Sequence, residues 1–196
     1  PTRDRNESVL TRPVSLYSKD FTMSKEVARK FLKLDQNRPT ALVHIGVGDK
    51  DQDERLFAVL RGLSTWQGLQ IIMTKEPIDA DGNSLLPPEV QVKVIRHFPL
   101  ADVIHAFDAV VCAAGYNSVH EVIPAAIPTL LISNNRGTDN QEARARWCAD
   151  TQVTLFAPNE SLKKIELAAQ QLADESVRRK LSNNSRLLGP FDGDFR

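Results

Sequence analysis

Residues 109–121 read Ala-Val-Val-Cys-Ala-Ala-Gly-Tyr-Asn-Ser-Val-His-Glu. The run 109–113 is apolar at every position, as a strand buried on both faces requires. Gly115 ends it, and Ser118 with Glu121 carries the marks of a helix start. The same unit recurs upstream. Ala41-Leu42-Val43-His44-Ile45 is an apolar strand ending at Gly46. A helix is expected over 53–63, burying Leu56, Phe57, Val59, Leu60 and Leu63. Further strands are expected at 69–73 and 90–95, separated by a loop at 78–88 with the turn signal Asp81-Gly82. A short helix near 101–107 leads into the central strand.

Downstream, a helix should start at Ser118. A strand follows at 129–132, a helix at 140–149 and a strand at 152–156. A long helix from Ser161, broken near Asp174, closes the chain. Ahead of these units, Ser24 is a candidate N-cap. Val27, Ala28, Phe31, Leu32 and Leu34 recur at helical spacing until Asn37-Arg38-Pro39 ends the helix. Residues 1–22 show no apolar period and read as a linker or interdomain arm, leaving 23–196 as one domain. Apolar strands alternating with helices imply an α/β, Rossmann-like parallel sheet covered by helices on both faces. Ligands of such sheets sit at the carboxyl ends of the strands, near the switch point.

Composition narrows the function. Lys plus Arg equals Asp plus Glu, at 25 each, and no basic block stands out, so nucleic acid is not an expected partner. Cys112 and Cys148 cannot make a disulfide framework, and reduced thiols in the cytoplasm are the simpler reading. No signal peptide and no apolar run near the ~20 residues of a membrane span is visible. The chain opens on Pro1 rather than Met, and is expected to be a piece of a longer protein.

Three strand-to-helix loops remain for chemistry. The first, Gly46-Val47-Gly48, lets backbone approach a phosphate, but lacks the third glycine of a dinucleotide fingerprint and the Lys-Ser/Thr of a phosphate-binding loop. Asp49, Asp51 and Asp53 read as solvated carboxylates at a helix start, and no metal is assigned to them. The second loop runs from Gly115 to Glu121. Its glycine permits a tight exit from the strand, and Asn117 and Ser118 offer donors at a helix end suited to a diphosphate. Its structural alternative is a capping box, Ser118 with Glu121. The third loop, 133–141, offers Asp139, Asn140 and Gln141 to sugar hydroxyls. Capping through Thr138 or Asp139 would explain it equally well.

In order, Gly115-Tyr116-Asn117-Ser118, Glu121, Pro128, then Asp139 with Gln141 resemble the donor-binding signature of GT-B glycosyltransferases. The stretch is similar to the plant secondary-metabolite transferase box and to the C-terminal domain of the bacterial peptidoglycan N-acetylglucosaminyltransferases. The resemblance runs from about Pro39 to the end, where Leu172-Ala173-Asp174 and Arg178-Arg179 also look like that family's tail.

The resemblance implies one half of a GT-B fold and a nucleotide-sugar donor, with uridine the family-level guess for the base. It gives the diphosphate to Gly115, Asn117 and Ser118, aided by Gly46 and Gly48. It gives the ribose to Glu121, the transferred sugar to Asp139, Asn140 and Gln141, and the base to His97, Phe98 and Leu100. The chain departs from the pattern at four points. Pro99 has no N–H to offer the base. Ala113 stands where the family often has His, Pro124 interrupts the helix after Glu121, and Ala126 stands where Gly is usual. Retaining families carry two glutamates eight positions apart; eight before Glu121 stands Ala113, so the resemblance implies inversion.

The helix end would stabilise the leaving diphosphate with no cofactor or metal. In this family the general base and acceptor site lie on a separate N-terminal domain or partner chain. Through that half the protein would meet the inner face of the membrane. This chain alone is then expected to be inactive. Of the histidines, His44 and His105 sit in apolar segments, whereas His120 could face the ligand. A nucleotide-sugar epimerase or hydrolase, or a pure binding module on the same scaffold, stands as the alternative.

Overall fold

The computed structural model describes residues 15–45, 52–74, 92–134 and 139–188. Gly46, Gly48 and the rest of the first loop, the 78–88 segment, residues 135–138 and the first part of the arm lie outside the described residues. Six parallel strands form one sheet: β1 (Thr40–His44), β2 (Gln70–Met73), β3 (Val92–Val94), β4 (Ala109–Ala113), β5 (Thr129–Ile132) and β6 (Leu155–Ala157). Their order is β3-β2-β1-β4-β5-β6, the order of a doubly wound dinucleotide-type sheet. The expected α/β, Rossmann-like class is therefore observed.

Period-two alternation in apolar strands produces two cores. Leu42, Val110, Cys112 and Leu131 face one side, while Ala41, Val43, Val111, Leu130 and Ile132 face the other. The first side is covered by α1 (Lys25–Phe31), a 3-10 helix (Leu100–Ala106), α3 (Tyr116–Val122) and α4 (Gln141–Asp150). The second is covered by α2 (Gln52–Leu63), α5 (Leu162–Gln171) and α6 (Glu175–Leu188). Gly62 lets α2 and α5 touch: a Cβ there would collide with the Glu166 carbonyl oxygen.

Several boundaries differ from expectation. Ser24 does cap α1, accepting from the Val27 N–H, but Val27 and Phe31 are exposed and only Ala28, Leu32 and Leu34 of the expected face are buried. The helix is short and leaves its axis at Leu32, so only part of the apolar stripe meets the core. β6 begins later than expected because Gln152, at φ 58, turns the chain before it. The last helix is split as expected: Ser161 caps α5, and the Asp174 carboxylate accepts from the Ser176 N–H at the start of α6. The described part of the arm lies on the first core. Ser15 Oγ donates to the His120 carbonyl, and the Met23 N–H to that of Asp102.

Candidate functional site

After β1 the chain turns toward α2 on one face, and after β4 toward α3 on the other. β1 and β4 are neighbours, His44 opposite Cys112. Adjacent strands whose following helices lie on opposite faces mark the switch point of a doubly wound sheet, and the ligand crevice of such folds lies there, at the carboxyl ends. β5 adjoins β4, so the end of its strand lies one spacing away, about 5 Å. The sheet thus brings the Gly115 turn, the end of β1 and the third loop to one edge.

The second loop is built differently from its sequence reading. α3 begins at Tyr116, two residues before Ser118, and its N-cap is Gly115. Ser118 is therefore inside the first turn, and the expected Ser118–Glu121 capping box does not form. Gly115 has φ −66 and ψ 153, a conformation any residue adopts, so a tight exit is not what its glycine serves. A Cβ placed there would meet nothing within 4 Å. The first helix bond is from the Val119 N–H to the Gly115 carbonyl. The N–H groups of Tyr116, Asn117 and Ser118 thus precede the hydrogen-bond ladder, with no side-chain cap at the N-cap position. Tyr116 and Asn117 are exposed.

Two side chains that sequence reasoning left unassigned brace this edge. Arg144 Nη2 and Nη1 donate to the two carboxylate oxygens of Asp139, at 2.7 and 3.3 Å, and Nη1 also donates to the Ala114 carbonyl at 2.7 Å. One guanidinium thereby ties the loop after β5 to the residue before Gly115, and lies 5.9 Å from the Tyr116 ring centroid. Asn134 Nδ2 reaches past the end of β4 to the Ile45 carbonyl at 3.1 Å, while its N–H donates to Gln141 Oε1 at 3.0 Å. The only sequence signal for Arg144 was its place one turn beyond Asn140; which carbonyl it would meet depends on the sheet order.

The expected sugar-binding residues are side by side but have structural duties. Asp139 pairs with Arg144, Asn140 caps α4 by accepting from the Ala143 N–H, and Gln141 is 3% exposed. The cap is Asn140, not Thr138 or Asp139. Glu121, half-buried in α3, has its carboxyl pushed above the usual range by burial. It lies close enough to Cys112 to help raise that thiol to about 12.

Among the expected base-binding residues, Phe98 is 83% exposed at the carboxyl edge beyond β3, Leu100 packs on the first core, and His97 meets the Phe31 ring edge-on at 5.3 Å. His120 does not face the crevice. It is 6% exposed, its Nδ1 pairs with the Tyr116 carbonyl and its ring lies 4.1 Å from the Tyr116 ring. His120 shares the buried side of α3 with Val119 and Val122. His44 bonds Thr74 at 2.6 Å, and burial lowers its pKa, which leaves the imidazole neutral at pH 7. Burial lowers His105 likewise, beside the Tyr17 hydroxyl. Among the described residues no three His, Cys, Asp or Glu side chains gather as a metal site would require. No described helix is long and apolar enough to cross a membrane.

The family model described as "Glycosyltransferase family 28 C-terminal domain" matches residues 22–188. A UDP-N-acetylglucosamine–N-acetylmuramyl-(pentapeptide) pyrophosphoryl-undecaprenol N-acetylglucosamine transferase of Nocardioides sp. (strain ATCC BAA-499 / JS614) is 27% identical over 189 residues. That similarity covers 82% of this chain and 51% of the relative. Acinetobacter baumannii MurG is similar in fold at TM-score 0.62 and 17% identity, over 84% of this chain and 49% of its own. The glycosyltransferase VinC, solved in complex with dTDP, gives TM-score 0.61 and 15% identity, over 84% of this chain and 40% of its own. The chain therefore spans about half the length of the relatives it matches.

Proposed function

This chain belongs to the glycosyltransferase family 28 C-terminal domain family, and from that membership we propose that it binds the nucleotide-sugar donor of an inverting GT-B glycosyltransferase. The observation that carries the reading is Gly115. The fold does not need glycine there, since φ is ordinary and a Cβ would touch nothing. Ser, Thr, Asp or Asn at an N-cap would cover a first-turn amide with its side chain, whereas glycine, also common there, covers none. Glycine leaves the amides of the first turn uncovered beside the crevice, which suits a diphosphate.

In this reading Gly115, Asn117 and Ser118, with Gly46 and Gly48 from the first loop, hold the diphosphate. Glu121 accepts from the ribose hydroxyls. His97, Phe98 and Leu100 flank the base, and the turn at 139–141 meets the sugar. Because Asp139 is tied to Arg144 and Gln141 to Asn134, those bonds set the position of the turn before the sugar arrives. The helix end then stabilises the charge that grows on the departing diphosphate, without a metal. The acceptor and the general base belong to a separate N-terminal domain or partner chain; the buried, stacked His120 supports a base from elsewhere. The Nocardioides relative is named for UDP-N-acetylglucosamine, which favours uridine, whereas VinC holds dTDP.

Thermal shift across UDP-, GDP- and dTDP-sugars tests this, since a ligand bound only by the native state raises Tm. We expect a UDP-sugar to stabilise the wild type. Gly115→Asp should keep or raise the ligand-free Tm, by capping α3, and abolish the UDP-sugar response by placing a carboxylate where the diphosphate sits. A response that survives Gly115→Asp overturns the reading.

A further inference from the structure

At the opposite end of the sheet, before β1, β4 and β5, lies a groove of about 500 Å³ walled by α1, the chain ahead of those strands and α6. Six of its lining residues are cations: Lys25, Arg29, Arg38, Arg178, Arg179 and Arg186. Only two are carboxylates, Asp108 and Glu175. Six minus two leaves a formal +4 in a protein whose total formal charge is zero. Such a concentration in a concave site focuses the field on an anion. We propose that this groove is a second ligand site, distinct from the nucleotide crevice, and that it binds a phosphate-bearing polyanion.

Three features favour phosphate. Five of the six cations are arginines, whose planar fork matches phosphate oxygens. Asn37, Ser182 and Asn183 add neutral donors to the lining, suited to phosphate oxygens that the guanidinium groups do not reach. Part of the set is held in place by the protein itself. Arg178 lies 4.0 Å over the Trp66 ring and donates from Nη1 to the Leu172 carbonyl; Arg38 donates to the carbonyls of Gly68 and Leu69. Arg29 is committed to Ala106, Gln36 and Asp108.

Among the described residues Arg179 and Arg186 have no such bracing role. Arg179 pairs with Glu175 one turn away, where both are largely exposed, and Arg186 reaches the Asn183 side chain at 3.2 Å. They can therefore be neutralised without disturbing the fold, and Trp66 supplies a reporter under Arg178.

The test follows the indole N–H signal of Trp66 in the full chain during titration with inorganic pyrophosphate; Trp147→Phe assigns it. The signal should shift saturably, and Arg179→Gln with Arg186→Gln should raise the pyrophosphate needed at least about tenfold. Gly115→Asp, which closes the crevice to a diphosphate, should leave the response in place. A shift reproduced by sodium chloride at matched ionic strength, an unchanged response in the double variant, or a response lost in Gly115→Asp each overturns the proposal. Vesicles of phosphatidylcholine, with and without phosphatidylglycerol, separate the source. Sedimentation with the anionic vesicles that the double variant loses assigns the phosphate to a lipid headgroup. A pyrophosphate response without sedimentation assigns it to a soluble ligand.

Discussion

Arg144 and Glu121, both beside the proposed donor site, act on stability in opposite directions. Arg144→Met removes a bidentate bond to Asp139 and the bond to the Ala114 carbonyl. It should cost about 1–3 kcal/mol in denaturant unfolding. If the two loops are set by this tie, donor Kd should also rise more than tenfold. Glu121 works against the fold. Its carboxyl lies above the usual range in the native state because burial disfavours the charge. The native state therefore holds the proton to higher pH than the unfolded chain, and stability falls as pH rises from the unfolded carboxyl value to the native one. Below the unfolded value both states are protonated and nothing is lost. Glu121→Gln should thus raise Tm at pH 7 and leave it unchanged at pH 4, while weakening a UDP-sugar. A Tm gain equal at both pH values would remove burial as the cause.

At the level of elements, the junctions decide more than the interiors. α2 and α5 meet at Gly62, where even one methyl would collide with the main chain at Glu166. Gly62→Ala gains helix propensity but forces the helices apart, and a net loss of about 1–3 kcal/mol is expected in urea unfolding. A stabilised variant would mean that α5 shifts freely. The turn after α3 is strained in the opposite sense. Ala126 has φ 54, a left-handed conformation costing an L-residue roughly 1–2 kcal/mol. The position usually held by Gly in the resembling family is thus a backbone requirement that this chain meets at a cost. Ala126→Gly should raise stability by about 0.5–1 kcal/mol after the added freedom of the unfolded chain is counted.

For the molecule as a whole, the two cores differ in what they enclose. The core under α3 and α4 contains both cysteines, and burial raises Cys112 to about 12 and Cys148 to about 11. Neither is a thiolate at neutral pH, so Ellman's reagent should find no reactive thiol in native protein at pH 8 and two after unfolding in guanidinium. Unfolded thiols ionise near pH ~8.5. Above that the native state holds more protons than the unfolded one, and stability should decline toward pH 11. The double variant Cys112→Ala with Cys148→Ala should flatten that decline; an equal slope would place its cause elsewhere.

The run of apolar strands, their order along the chain and the glycine after the fourth were legible in the residues, because a strand buried on both faces must be apolar throughout. The same patterning located the three loops and the break at Asp174. What needed the fold was every contact between segments far apart in sequence. The helix start at Tyr116, two residues before its apparent cap, is one such feature. The burial of His120, the tie from Arg144 to Ala114 and the reach of Asn134 to Ile45 are others. So is the basic groove, whose cations come from residues 25 to 186 and make no block in the sequence. Local pattern reports which face of an element is apolar. Only the stacking of elements determines which polar groups are brought within a few ångströms, and so which charges meet.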